Sequence, residues 1–186
     1  METTMNHVLR ANAWVFRGML AIDYEIVSYN LCRDLRADSA EALGKFCMVN
    51  VDPDFPKKVR KGDFIGAEQN MGYGHDHDHG CLSIIGAGVG AVLCESAAPY
   101  FLRNSIEHGL PVVELPGIVA ATAQGDALEV DLTAGRVRNS RTGAVFSFTP
   151  PPDFVMEMLV AGGVYPLMKR LAAEGRLPRR KPGYQG

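Results

Sequence analysis

The chain has 186 residues, of which 47% are hydrophobic and 22% charged, and its formal charge is -2. That length allows one sizeable domain with a buried core and is marginal for two. The balanced charge excludes a global basic field for nucleic acid, and no apolar run reaches the ~18 residues that a membrane span needs.

His7–Phe16 (HVLRANAWVF) reads as a first strand, with the single tryptophan, Trp14, in the core. Glu25–Cys32 (EIVSYNLC) reads as part strand and part loop. In DSAEALGKFC, Asp38 caps a short helix while Glu41, three residues on, reaches back to it. Asp52–Asp63 carries prolines and the basic cluster Lys57–Lys61, and reads as an exposed, solvated connection. Phe64–Glu68 is a buried strand. Cys81–Gly90 is a short helix closed by glycine, and Ala91–Ser96 a continuous apolar strand. Ala98–Gly109 is a helix with Tyr100, Phe101, Ser105 and Ile106 on one side and Gly109 just past its end.

Pro111 stops that helix, and VVEL resumes as strand. Phe64–Leu115 is thus strand–helix–strand–helix–strand, the pattern of parallel strands covered by helices. From Ile118 to Thr149 the alternation is β, with glycine-containing turns. Helix returns from Pro151, broken near Gly162–Gly163 and at Pro166. The expected organisation is one domain over 1–175 and a basic C-terminal tail over 176–186.

The first residues, METTMNHVLRANAW, lack the apolar core of a signal peptide, so a cytoplasmic protein is expected. Cys32, Cys47, Cys81 and Cys94 form no C-x-x-C pair and read as small buried hydrophobes. Their spacing argues against a self-contained zinc or iron–sulfur site.

The chemistry concentrates in GYGHDHDHG, Gly72–Gly80, between a buried strand and a helix start. Such a junction offers free backbone N–H groups to anions. Gly72 and Gly74 let the backbone approach a ligand, and His75, Asp76, His77, Asp78 and His79 bring donors, acceptors and a proton carrier. Three readings stand. In one, His75 or Asp76 is a general base and His77 helps hold a carboxylate. In another, His75, His77 and His79 converge on a divalent metal, because alternate residues of an extended chain share a side. In the third, the run is a polar surface turn with Asp78 capping the helix.

The chain resembles the small subunit of 3-isopropylmalate dehydratase, the swivelling domain of the aconitase superfamily, from about Leu9 to Leu171. VDPDFPKKVRKGDFIGAEQNMGYG is similar to that family's D-P-x-F…V-x-x-G-D-x-I-V-A-G-x-N-F-G-x-G. AVLCESAAPYFLRNSIEHGLPVVEL and EMLVAGGVYPLMKR resemble its later segments. The resemblance implies an α/β fold of the swivelling β/β/α type. It also implies a hydro-lyase acting on hydroxy-carboxylic acids, with no cofactor in this chain and a [4Fe-4S] cluster in a large partner subunit.

Carried onto this sequence, the family's G-S-S-R-E-H falls on Gly74–His79. His75 takes the place of the serine base, His77 that of the carboxylate-clamping arginine, and His79 matches the family's histidine. Asp76 is a neighbour of the base or a second acid/base group, and Gly74 a substrate-binding position. Asp23, the retained end of the family's D-N-I-D-T-D, is an orienting group, and Ser28–Asp34 lies where relatives select the substrate's side group. Histidine lacks arginine's fixed charged fork, whereas an imidazole makes an easier base than a serine. The alternative is a stand-alone domain that binds metal or a small anion through His75, His77 and His79.

Asn104 in FLRNSIEHG is expected to pack or cap, and His108 to lie favourably at its helix C-terminus. Cys81 is expected to be a buried structural thiol rather than a reactive thiolate.

Overall fold

The computed structural model describes residues 7–34, 39–75 and 77–177. Asp38, Asp76 and most of the C-terminal tail lie outside them. The first strand, β1 (Val8–Phe16), is where the sheet changes character. Its C-terminal half runs parallel to β2 (Phe64–Ala67), from Ala13↔Phe64 to Phe16↔Ala67. Its N-terminal half runs antiparallel to β5 (Ala127–Asp131), from Val8↔Asp131 to Asn12↔Ala127.

With β3 (Ala91–Cys94), β4 (Val112–Glu114), β6 (Arg136–Asn139) and β7 (Val145–Ser147), these form a seven-stranded sheet in the order β4-β3-β2-β1-β5-β6-β7. The β1–β4 half is parallel and the β5–β7 half antiparallel. This is the expected parallel α/β layer joined to a β-rich section.

β2 and β3 are buried along their whole length, as strands covered on both faces must be. Alternate residues then serve different cores. Ile65, Val92 and Cys94 join Phe16, Phe55, Ile84 and Phe101 on one side. Phe64, Ala91 and Leu93 join Leu115, Leu128 and Val137 on the other.

The helices are α1 (Tyr29–Asp34), α2 (Ala40–Gly44), α3 (Phe55–Lys58), α4 (His79–Gly86), α5 (Pro99–Glu107), α6 (Asp153–Ala161) and α7 (Val164–Ala173). Among the described residues no helix is long and apolar enough to cross a membrane.

Four local expectations change. The segment read as strand and loop is helical: Ile22–Ile26 forms a π-helical turn, followed by α1. Burial falls on Ile22 and Ile26, four apart, where a strand would bury every second residue. The cap of α2 is Ser39, whose hydroxyl accepts the Ala42 N–H at 3.2 Å. The 52–63 connection is not wholly exposed: α3 drives Phe55 to 0% exposure, edge-on to Trp14 at 5.0 Å. Pro166 does not break α7, because a proline in the first turn removes no intrahelical hydrogen bond.

Candidate active site

The run that follows β2 continues beside its neighbours beyond the strand ends. Met71 bridges Ala97, and Tyr73 bridges Ala21. Gly72 donates its N–H to Leu20 O at 2.9 Å, and Ile22 donates to Tyr73 O at 2.9 Å. Gly72 has φ +75°, and a Cβ there would collide with the Phe101 ring, so both conformation and space demand glycine. Gly74, at φ +112°, carries the chain past the Asp23 carboxylate.

Asp23 stands in the π-helical turn, which is held at its start by the Ala21 N–H donating to Glu25 Oε2 at 2.8 Å. It is the centre of the cluster. His75 Nδ1 lies 2.7 Å from Asp23 Oδ2, and His77 Nε2 lies 4.0 Å from Asp23 Oδ1. The His75 side chain is 80% exposed and that of Asp23 25%. Asp23 Oδ1 is buried and accepts no hydrogen bond from the described residues.

Tyr29, the first residue of α1, organises the other two rings. His77 stacks on it with centroids 5.1 Å apart and planes 10° apart, and His79 meets it edge-on at 5.6 Å. His79 opens α4, and its Nδ1 is buried without a hydrogen-bond partner.

The arrangement has clear chemical capacity. A carboxylate at hydrogen-bond distance from Nδ1 selects the tautomer protonated there and leaves Nε2 as a lone-pair base. The His75 side chain as a whole is largely exposed, so a reacting molecule has access to it. As for metal, Asp23, His75 and His77 bring ligand atoms within 4.8 Å of one another.

Of the expected set His75, His77 and His79, the first two share a ligand cluster with Asp23, while His79 lies beside His77 with ring centroids 5.9 Å apart. His79 already belongs to the helix, so the two-residue alternation ends at His77 and His79 turns to Tyr29. Asp76 falls outside the described residues. A cleft of about 290 Å³ opens where β1, β2 and β3 end, lined by Gly18, Met19, Glu68, Gln69 and Glu95, and its walls do not include the histidines.

Asp78 is the N-cap of α4 but makes no side-chain capping bond. Its carboxylate meets His108 Nε2 at 3.2 Å instead. His108 therefore does more than sit favourably at its own helix end: it ties α5 to the start of α4. Cys81 is a buried thiol, as expected, donating to Asp78 O at 3.1 Å, and burial pushes its pKa up to about 12. Sequence reasoning missed Tyr29. Its only signal was an aromatic residue in Ser28–Asp34, the segment that the resemblance marked for the substrate's side group.

A sheet that is parallel on one side of β1 and antiparallel on the other, with a loop rich in histidine and aspartate at the carboxyl ends of the parallel strands, is of the swivelling-domain class. No family model matches the chain. It is 38% identical to the isopropylmalate/citramalate isomerase small subunit of Methanocaldococcus jannaschii, over 92% of this chain and all of that one. It is 41% identical to 3-isopropylmalate dehydratase small subunit 1 of Methanopyrus kandleri, over 89% of this chain and 95% of that one. The fold matches the crystal structure of 3-isopropylmalate dehydratase from Methanocaldococcus jannaschii with a TM-score of 0.81, at 27% identity, over 90% of this chain and 97% of that one. The chain belongs to the isopropylmalate dehydratase small-subunit family, whose members are parts of aconitase-superfamily hydro-lyases. Membership of a small-subunit family brings with it a large-subunit partner.

Proposed function

We propose that the chain, as one swivelling domain over 1–175 with a basic tail, completes a cytoplasmic hydro-lyase that removes and restores water on a small hydroxy-carboxylic acid. In this reading His75 is the base and Asp23 the group that orients it. The observation that carries it is the 2.7 Å contact between His75 Nδ1 and Asp23 Oδ2 beside an exposed imidazole edge.

In dehydration, His75 Nε2 takes the proton from the substrate carbon next to a carboxylate, the C–H electron pair becomes the double bond, and the hydroxyl leaves the neighbouring carbon toward the large subunit, whose cluster would accept it. In hydration the resulting imidazolium returns the proton. Asp23 keeps the ring in one tautomer and orientation. Asp76 is assigned as a neighbour of the base or a second acid/base group. His77, held flat by Tyr29, and His79, with its unpartnered Nδ1, are assigned to the substrate carboxylate, and the Gly74 backbone to close approach.

Compared with arginine, histidine offers a single conditional charge, which favours a substrate with weaker anionic demands at that point. This chain's own thiols do not fit an iron–sulfur cluster, since among the described residues no group of converging ligand atoms contains more than one of Cys32, Cys47, Cys81 and Cys94. The [4Fe-4S] cluster is assigned to the large subunit, and no step of this chain runs through it.

The test is turnover of the complex assembled from this chain and its large subunit. His75→Ala is expected to lower kcat by roughly 10²–10⁴-fold with the complex intact. Asp23→Asn should lower kcat more than it raises KM. Unchanged kcat in both variants would sink the assignment. A second reading, a divalent metal held by Asp23, His75 and His77, is favoured by their mutual ligand distances. Stoichiometric zinc binding lost in His77→Ala would support it.

A further inference from the structure

A second set of ligating side chains includes Asp78, within the histidine run, and two residues outside it. Asp78, Cys81 and His108 bring their ligand atoms within 4.8 Å of one another. Asp78 immediately precedes α4, Cys81 stands in its first turn, and His108 closes α5.

The Asp78 Oδ2–His108 Nε2 distance is 3.2 Å. Two ligands of a tetrahedral zinc ion, each at an ordinary bond length, stand roughly 3.3 Å apart. This pair already spans one edge of such a site. Cys81 Sγ lies within 4.8 Å of both of these ligand atoms, and without an ion its S–H donates to the Asp78 backbone carbonyl at 3.1 Å. The Asp78 carboxylate is also free of the duty its position normally implies, because it caps no backbone N–H of α4.

We propose that Asp78, Cys81 and His108 bind one divalent transition-metal ion of the zinc class, with water in the fourth position. The donor set selects the class: a sulfur, a nitrogen and an oxygen suit zinc or cobalt, whereas magnesium and calcium require oxygen donors throughout. Its charge also matches, since one thiolate, one carboxylate and one neutral imidazole balance a dication.

On binding, the Cys81 S–H bond breaks, the proton leaves to solvent, and a sulfur–metal bond forms with no change of oxidation state. The ion takes the place of the direct His108–Asp78 contact. Asp78 is 54% exposed, which gives the ion a path from solvent although Cys81 is buried. The ion would fasten the end of α5 to the start of α4, and so brace His79 without touching the Asp23–His75 pair. The site is independent of whether His75 is the base.

The test is cobalt(II) titration of the metal-free full chain, followed by absorbance. One equivalent is expected to give a thiolate-to-cobalt charge-transfer band in the near ultraviolet with the ligand-field intensity of a tetrahedral site. The band should vanish in Cys81→Ser, and His108→Ala should weaken binding at least about tenfold. A His75→Ala/His77→Ala double variant should keep the band, which separates this site from the histidine loop. If Cys81→Ser does not fold, judged by circular dichroism, His108→Ala and Asp78→Asn carry the comparison. The proposal is overturned if cobalt gives no thiolate band, if the band persists undiminished without His108 and Asp78, or if it is lost with His75 and His77.

Discussion

Cys32 and Cys81 are 1% exposed, and Cys47 and Cys94 are 0% exposed. Burial raises the pKa of Cys32, and it pushes Cys47 and Cys94, like Cys81, up to about 12. The thiolate is the reactive species, so at about pH 8 the folded, metal-free chain should react with a charged disulfide reagent far more slowly than a free thiol does. Unfolding in denaturant should then release all four cysteines to the reagent. Rapid native labelling of Cys81 would contradict its placement under Asp78. The sequence pointed to this residue's fate only through the general tendency of free cysteines to be buried, since the histidine run just before it also allowed a thiolate at a helix start. It made the histidine run legible as well, through density of titratable groups alone. It did not reveal which histidine pairs with what. Asp23 and His75 are separated by 52 positions, and the backbone pairing of Gly72 and Tyr73 with Leu20–Ile22 brings them together.

At the scale of elements, the α2–α4 crossing does most to aim the site, because α4 begins with His79. Gly44 and Gly86 face each other there. A Cβ on Gly86 would overlap the Ala40 carbonyl, and one on Gly44 the Gly86 backbone. The two glycines are needed for close approach and not for a special backbone angle. Gly86→Ala is therefore expected to force the helices apart and cost at least about 2 kcal/mol in urea unfolding. A variant as stable as the parent would mean that the crossing tolerates separation. The strands β2 and β3 were readable because strands buried on both faces leave unbroken apolar runs. The π-helical turn and α1 were not, since short helical turns are set by tertiary packing of Ile22 and Ile26 against α4 and its surroundings rather than by propensity. The same applies to α3, whose four residues exist to bury Phe55.

For the whole molecule, the join between the parallel and antiparallel halves decides whether there is one sheet or two. Alternation made the two halves recognisable separately. Their pairing was hidden, because β1 and β5 meet across the sequence, as the Arg10–Glu129 ion pair at a separation of 119 positions illustrates. The join is secured from the turn before β5. Asp126 O accepts the Ala13 N–H of β1 at 2.9 Å, while its carboxylate accepts the Ala123 N–H at 2.8 Å and the Asn139 side chain of β6 at 2.7 Å. The Arg141 guanidinium grips the same carboxylate from outside, and the Asp126 side chain is only 4% exposed. The hydrogen bonds from Arg141 are the main reason that Asp126 is held well below its ordinary value of 3.8. Burial opposes them, and the bonds from Ala123 and Asn139 reinforce them. A carboxyl whose pKa is lower folded than unfolded contributes stability that is fully present above the unfolded value. That contribution fades as pH falls toward the folded value, because the unfolded chain takes up the proton first. The urea midpoint of the parent chain should therefore decline as pH falls from about 5 to about 3. Asp126→Asn removes the titrating group and leaves Arg141 without its anion. It should lower the midpoint at neutral pH and flatten its decline across the acid range. Parallel acid profiles for the two proteins would show that some other carboxylate governs the acid response, and that the join between the halves does not depend on this charge.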